Sequence, residues 1–143
     1  MDYLNLESTQ ALLAHATEKA RQTFGKPVCI AVCDVHGFLV GFSRMDNAPV
    51  RSIQISQQKA YTCTRMGVTT EAFLGRLRKE DLPIGYFCDP LLTALPGGAL
   101  LRDAQDRVIG AIGISGLALA EDQQIADEAV RFSAEFHLPG DAG

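Results

Sequence analysis

The sequence predicts an α+β sandwich in which a five-stranded, mainly antiparallel sheet is flanked by helices. The first observation is the order of the elements: a helix, two strands, a helical region, three strands and a final helix. The second is that the links between consecutive strands are short, whereas a parallel crossover needs about a dozen residues or more. A chain of 143 residues that is 47% hydrophobic can bury one core, so we expect a single domain over residues 1–143.

The first half of the chain begins with an amphipathic helix over residues 6–24, whose apolar positions recur at helical spacing. Gly25 and Pro27 end this helix. Residues 28–33 are an apolar, β-branched strand, and residues 38–45 are a second strand after a turn that ends in a glycine. These two strands are therefore predicted to pair as a hairpin.

The second half begins with a helix over residues 52–66 and a shorter helix over residues 70–79. A loop rich in proline and glycine follows, and then three predicted strands, at residues 91–95, 99–102 and 107–115. The last helix is predicted over residues 121–136, because its first residues are acidic and favour the positive end of the helix dipole.

Composition excludes two classes of partner. Thirteen Lys and Arg stand against seventeen Asp and Glu, so the net charge is −4. A mildly acidic chain lacks the positive surface that binds nucleic acid or anionic membranes, and we expect neither as a partner. The N-terminal residues are acidic where a signal peptide is basic, and the longest apolar tract, residues 108–120, is shorter than a membrane span. The expected location is the cytoplasm.

Cysteines and histidines are candidate ligands or nucleophiles. The four cysteines include no C-x-x-C pair, so reduced thiols are expected, and neither a zinc ribbon nor a thioredoxin-type motif is indicated. The three histidines, His15, His36 and His137, lie far apart in sequence and lack the spacing of a metal site. We therefore predict no metal centre, and we expect a histidine to be solvated unless it binds a cofactor.

The helix over residues 52–66 carries a stripe of small residues that lets another backbone approach closely: Ser52, Ser56, Ala60, Cys63 and Gly67. Lys59 lies near the centre of the same face, where an ammonium group is costly to bury. Either Lys59 extends out to solvent, or it is buried beside a carboxylate such as Asp34 or Asp46. In the second case, Lys59 with Asp34 or Asp46 is a candidate acid–base pair.

Two glycine-rich segments, residues 96–98 and 110–116, are candidates for a backbone-lined site. Neither matches the G-x-G-x-x-G fingerprint, which follows a strand and opens a helix, and the sequence has no Walker A motif. One interpretation is that residues 96–98 turn the chain and that Gly110 and Gly113 allow a helix to pack closely on the sheet. The alternative is that Gly97 and Gly98 line a ligand pocket together with Lys59.

Four stretches in order along the chain resemble the HbpS/GlcG family, which includes the C-terminal domain of PduO-type proteins. The stretches are residues 32–39 with 42–46, residues 52–62 with their Lys-Ala pair, residues 96–100, and residues 110–116 with the acidic pair that follows. The resemblance spans residues 6–137. It implies a profilin-like α/β/α fold, homo-oligomers and, in some members, binding of haem or a related tetrapyrrole. Other members are encoded beside glycolate, glycerol or propanediol utilisation genes.

Three hypotheses for function follow from the residues and the resemblance together. The leading one is a small, oligomeric binding protein for haem, a corrinoid or another planar cofactor. The second is an enzyme that acts on a small metabolite through Lys59 and a nearby aspartate. The third is an accessory protein that assembles with a metabolic enzyme.

His15 and Cys33 are the candidate axial ligands, because haem iron accepts His or Cys thiolate. His15 lies on the first helix and Cys33 at the end of the first strand, and a short link joins the two elements. The two side chains are therefore predicted to face one cleft, within a subunit or across an interface. Lys59, Gly97 and Gly98 complete the predicted cofactor-binding set.

Overall fold

The computed structural model describes residues 1–136. Over these residues the chain forms four α-helices and one four-stranded sheet. In chain order the elements are α1 (Leu6–Lys19), continued by a π-helical turn (Ala20–Phe24), β1 (Cys29–Cys33), β2 (Leu39–Arg44), α2 (Arg51–Met66), α3 (Thr70–Lys79), a short 3-10 turn (Ile84–Phe87), β3 (Gly98–Arg102), β4 (Val108–Ser115) and α4 (Leu119–Glu135). Each predicted helix forms close to its expected bounds.

The strands are ordered β2-β1-β4-β3, and every pair of neighbouring strands is antiparallel. β1 is central: Ala31 is paired with Phe42 of β2 on one side and with Gly113 of β4 on the other. The predicted hairpin of the first two strands and the antiparallel pairing are confirmed. β2 and β3 are the two edges of the sheet.

The predicted strand at residues 91–95 is wrong, and the sheet has four strands, not five. Side chains of α2 bond to the main chain of this segment instead. The Thr93 amide donates to Thr62 Oγ1 at 2.9 Å, and the Leu91 carbonyl accepts from Gln58 Nε2 at 3.2 Å. Because α2 satisfies part of its backbone, the segment does not need the ladder of a neighbouring strand.

Each face of the sheet is covered by a different helical layer. Ile30 and Val32 of β1 belong to the larger apolar core, which α1 and α4 complete. Successive side chains of a strand point to opposite faces. Cys33 accordingly points the other way and packs with Ala60 and Cys63 of α2. The predicted α+β architecture, with helices flanking an antiparallel sheet, is confirmed.

The small residues of α2 let this helix lie directly on β4. A Cβ atom at Gly113 would overlap the carbonyl oxygen of Ser56 and lie 2.8 Å from the Ala60 amide nitrogen. Such close contact is possible only where both surfaces lack bulk, so the predicted role of the stripe in close packing is confirmed. Gly67 has a different role: with φ of 70° it ends the helix as its left-handed C-cap.

Candidate functional site

Lys59, on the packed face of α2, is fully buried. Its Nζ donates to the Ile114 carbonyl oxygen at 2.7 Å and to Asp122 Oδ2 at 3.1 Å. Of the two predicted alternatives, burial beside a carboxylate is confirmed, but the carboxylate belongs to α4. The predicted pairing with Asp34 or Asp46 is wrong.

Asp34 and Asp46 have other positions in the hairpin. Asp34 Oδ1 accepts the main-chain N–H groups of His36 at 2.9 Å and Phe38 at 3.0 Å, which closes the turn between β1 and β2. Asp46 is exposed in the turn that follows β2. Neither carboxylate therefore forms the acid–base pair with Lys59 that the enzyme hypothesis needs.

Lys59 and Asp122 meet although their helices lie on opposite faces of the sheet. They meet in a gap beside β3 that a glycine leaves open: a Cβ atom at Gly97 would lie 2.6 Å from Lys59 Nζ and 3.0 Å from Asp122 Cβ. At Gly98, a Cβ atom would lie 2.7 Å from the Lys59 carbonyl oxygen. Gly97 also has φ of 133°, a conformation that other residues rarely adopt. Close packing, which the sequence predicts for Gly110 and Gly113, therefore also occurs at Gly97 and Gly98.

Burial determines the electrostatics of this pair. It lowers the pKa of the Lys59 ammonium and raises the pKa of the Asp122 carboxyl, while the attraction between the two groups opposes both shifts. Asp122 also accepts the Leu117 N–H at 3.0 Å. Because both side chains are buried, the ion pair between Lys59 and Asp122 links α2 to α4 inside the protein.

An apolar cleft with a volume of about 530 Å³ lies between α2 and the β1–β2 hairpin. Ala31 and Cys33 of β1 form its floor, and Phe38 and Leu39 form the hairpin wall. Tyr61 and three glutamines line the opposite wall on α2. The cleft thus combines an apolar interior with amide and phenol groups that can donate or accept hydrogen bonds.

The cleft exists because α2 lies over β1, β4 and β3 and leaves the same face of β2 largely uncovered. Leu39 is paired with Cys33 in the register and so lies beside it on that face. Phe38 and Leu39 consequently expose 70% and 50% of their surfaces. Contiguous exposed apolar surface of this kind is typical of a binding site.

Cys33 is the one residue of the predicted cofactor-binding set that lines this cleft. Burial, and then the neighbouring Asp34 carboxylate, raise the pKa of the Cys33 thiol to about 12. Burial likewise raises the pKa of Cys63, in the same apolar cluster, to about 12. Cys33 is therefore a protonated thiol at neutral pH.

His15 lies in the groove between α1 and α4, where its ring stacks on Phe132 with centroids 4.2 Å apart. Burial, and then the nearby Lys19, lower the pKa of His15. Its Nδ1 is buried and has no hydrogen-bond partner in the described part of the chain. His36 is exposed in the hairpin turn, as expected, and His137 lies outside the described residues.

His15 and Cys33 are on opposite faces of the sheet, so the prediction that they face one cleft within a subunit is wrong. The distances along the helix and the strand permit it, but the alternation of β1 does not. Val32 points toward α1 and α4, and the next side chain, Cys33, therefore points toward α2. Their meeting across an interface stays a prediction.

Tyr61 and Asp89 form a short hydrogen bond at the cleft. Tyr61 Oη donates to Asp89 Oδ2 at 2.6 Å, and Asp89 Oδ1 accepts the Leu91 N–H at 3.0 Å. These two hydrogen bonds, in that order, lower the pKa of the Asp89 carboxyl. Tyr61 follows Gln57 by one helical turn on the flank of the small-residue stripe, which is a usable sequence signal. Asp89 has no such signal, because it lies in a loop.

Other surfaces of the described chain are less suited to a planar, apolar ligand. A depression of about 570 Å³ beside the π-helical turn is lined mainly by polar and charged residues.

Within residues 1–136, no group of three or more His, Cys, Asp or Glu side chains is placed to hold a metal ion. No helix in that range is both long and apolar enough to cross a membrane.

Comparison with known proteins gives one family. The model of the family described as "Haem degrading protein HbpS-like" matches residues 4–131. Among curated proteins, GlcG of Escherichia coli (strain K12) is 34% identical over 113 residues, which is 78% of this chain and 81% of GlcG.

Two solved structures share the fold over most of their length. The PduOC:haem complex is 26% identical with a TM-score of 0.80, over 90% of this chain and 94% of that one. A double mutant of HbpS from Streptomyces reticuli is 25% identical with a TM-score of 0.81, over 92% of this chain and 88% of that one. The resemblance to the HbpS/GlcG family is thereby confirmed.

Proposed function

This chain belongs to the HbpS-like family, and we propose that it binds haem or a closely related tetrapyrrole in the cleft between α2 and the β1–β2 hairpin. The observation that carries the proposal is the cleft itself, whose volume of about 530 Å³ falls within the range of small-molecule and cofactor sites. The PduOC:haem complex supports it, because that protein shares this fold along 90% of the chain.

The residues of the cleft fit such a group. A macrocycle needs apolar contact on its faces, which Ala31, Phe38 and Leu39 provide. Haem iron takes thiolate, imidazole or phenolate as axial ligands, and Cys33 and Tyr61 place in the cleft the thiol and the phenol from which two of these ligands form. When bound, the haem supplies redox or small-ligand chemistry, and the chain supplies binding and orientation.

The remaining predicted residues have different places in this proposal. Lys59, Gly97 and Gly98 act behind the cleft by holding α2 on the sheet. His15 lies on the other face, so it reaches a haem only if that haem is bound against α1 and α4, for instance by a neighbouring subunit. Cys33 and His15 thus correspond to two different positions of the haem.

A haemin titration followed by absorbance tests the proposal. We expect a saturable Soret shift with one haem per chain. Leu39→Lys places a charge in the hairpin wall and should weaken binding, whereas Val68→Lys, at a similarly exposed apolar position that does not line the cleft, should not. A broad, non-saturating spectrum that is the same in the wild type and in Leu39→Lys would contradict haem binding in the cleft.

Two further variants locate the haem. Cys33→Ala should change the spectrum or the affinity if the haem lies in the cleft, with Cys63→Ala as the matched control because Cys63 is buried nearby but does not line the cleft. His15→Ala should change them only if the haem lies against α1 and α4, with His36→Ala as its control. A change in His15→Ala alone would move the site to that face.

We also propose that the protein is a homo-oligomer. Leu39 and Val40 at the start of edge strand β2 and Phe38 just before it expose 50%, 42% and 70% of their surfaces, and no charged residue or proline lies among residues 38–43. Natural edge strands usually carry such residues to prevent association. A second copy on this edge would cover the apolar row. Light scattering at micromolar concentration tests this, and a monomer mass would contradict it.

A further inference from the structure

We propose that Tyr61 is the residue of this chain that contacts the iron of the bound haem, through its phenol oxygen, and that Asp89 orients that phenol and relays its proton to solvent. This inference rests on the haem-binding function proposed above. It assigns the iron contact to a residue outside the cofactor-binding set predicted from the sequence.

The ring of Tyr61 is held in one orientation before any ligand binds. On one side is the hairpin turn, where a Cβ atom at Gly37 would lie 2.8 Å from Tyr61 Cδ2. Gly37 has φ of 87°, so the turn favours glycine there, and its bare backbone lets the ring approach. The Arg65 guanidinium carbon lies 4.8 Å from the ring centroid, and its Nη2 donates to the His36 carbonyl oxygen of the same turn at 3.1 Å. A ligand atom fixed in this way loses little side-chain entropy on binding.

The phenol of Tyr61 is oriented by a carboxylate. It donates to Asp89 Oδ2 at 2.6 Å, at the short end of the range for hydrogen bonds to a carboxylate. Asp89 is itself held by the Leu91 amide at 3.0 Å, and the Leu91 carbonyl accepts from Gln58 Nε2 at 3.2 Å. Leu91, Gln58 and Tyr61 all line the cleft, so this chain of hydrogen bonds is part of its rim.

The other candidate donors are less suited to the iron. The Cys33 thiol lies at the cleft floor and is 3% exposed, and burial, together with the Asp34 carboxylate, raises its pKa to about 12. His15 lies on the opposite face of the sheet. Tyr61 instead combines a place in the cleft wall with a proton acceptor within hydrogen-bond distance.

The binding step balances without an oxidant or reductant. The Tyr61 O–H bond breaks, and its proton passes through Asp89 Oδ2 to bulk water, because the lowered pKa of Asp89 keeps that carboxyl ionised at neutral pH. The phenolate oxygen forms a bond to the ferric iron, and the water or chloride that held this position leaves. The iron stays ferric, and Tyr phenolate is an established class of haem ligand.

The experiment compares haemin complexes of the wild type, Tyr61→Phe and Tyr86→Phe. Tyr86 is 73% exposed and does not line the cleft, so it is the matched control. We expect the wild type and Tyr86→Phe to show the charge-transfer absorbance of a ferric phenolate, and Tyr61→Phe to lose it and bind at least about tenfold more weakly. Asp89→Asn retains an oxygen for the Leu91 amide but is a poorer proton acceptor, so it should keep the band with reduced affinity.

Resonance Raman scattering of the wild-type complex, excited in the charge-transfer band, provides a measurement that needs no variant. Enhanced phenolate vibrations support the assignment even if Tyr61→Phe folds poorly. A wild-type complex that forms with one haem per chain but lacks these vibrations overturns the role of Tyr61 and leaves haem binding intact. A wild type that does not bind haemin overturns the proposed function itself.

Discussion

Removing the Lys59 ammonium group should destabilise the fold strongly, and removing the Asp122 carboxylate as well should recover part of that lost stability. Lys59→Met keeps most of the side-chain volume but leaves the Asp122 carboxylate buried without its cation. Asp122→Asn leaves the ammonium with the Ile114 carbonyl as its remaining acceptor. The double variant contains neither charge, so its buried groups need no counter-ion.

The expected magnitudes follow from the geometry of the pair. Loss of one partner of a buried ion pair lowers the free energy of unfolding by about 3–5 kcal/mol. Lys59→Met should lie at the lower end, because Asp122 keeps the Leu117 amide at 3.0 Å and lies in the first turns of α4, near the positive end of its dipole. That loss corresponds to a fall in Tm of roughly 10 °C for a domain of this size. The coupling energy between the two substitutions should reach about 2 kcal/mol.

Urea unfolding followed by far-UV circular dichroism measures all four states of this double-mutant cycle. Lys79→Met, at an exposed position in the last turn of α3, is the control and should change stability by less than about 0.5 kcal/mol. Two outcomes would refute the reasoning. One is that Lys59→Met and Lys79→Met are equally stable, and the other is that Lys59→Met and Asp122→Asn are additive within about 0.5 kcal/mol.

Three further predictions concern packing, thiol reactivity and pH. Gly113→Ala should lower the free energy of unfolding by about 1–3 kcal/mol, because its Cβ would overlap the α2 backbone. Gly75→Ala is the control: it lies in the interior of α3 with open space around it, so it should raise the free energy of unfolding by about 0.5–1 kcal/mol. Equal effects of the two substitutions in urea unfolding would contradict this prediction. An aromatic disulfide reagent at pH 8 should modify Cys88, the exposed thiol, and spare Cys33, whose pKa is raised to about 12 by burial; rapid modification of Cys33 in peptide mapping would count against its burial. The pKa of Asp103 should lie below 3.8, since its carboxylate accepts main-chain and side-chain N–H groups of the turn between β3 and β4. Its stabilising effect is therefore present at neutral pH and lost as the pH falls below 3.8, and a carboxyl NMR titration with a midpoint at or above that value would contradict the prediction.

Periodicity predicted the elements whose burial is local in sequence. The stripe of small residues on α2 repeats every three to four residues, so one helical wheel is enough to infer a close-packed face. The same wheel places Lys59 on that face, and its full burial agrees with this placement. Such inferences succeed because they depend only on the geometry of one helix.

The segment at residues 91–95 shows where this reasoning ends. Its composition suits a strand, but its conformation depends on two side chains of α2, Gln58 and Thr62, which are 33 and 31 residues away from their partners Leu91 and Thr93. No pattern within the segment indicates that a helix will satisfy its backbone. A tertiary contact therefore overrides the local preference.

The partner of Lys59 was unpredictable for a similar reason, although the residues that permit it were visible. Gly97 and Gly98 stand out in the sequence, as does Lys59, but as separate features. Their connection depends on the register of β3 and β4, which places the missing side chain of Gly97 beside the ammonium group and opens a path to Asp122 on the far face. Asp34 and Asp46 were nearer in sequence, and sequence distance is a poor guide once a side chain crosses a sheet.

The cleft is the feature least accessible to sequence analysis, because it results from surface that a helix does not cover. α2 is centred on β4 by its small-residue stripe, and that same centring leaves the face of β2 open. The exposure of Phe38 and Leu39 is thus a consequence of glycines in another strand, not of any polar pattern in the hairpin.

A substitution that shifts α2 toward β2 should close the cleft. Haem binding and the packing of Gly113 are therefore expected to be coupled, and Gly113→Ala should weaken haemin binding although Gly113 does not line the cleft.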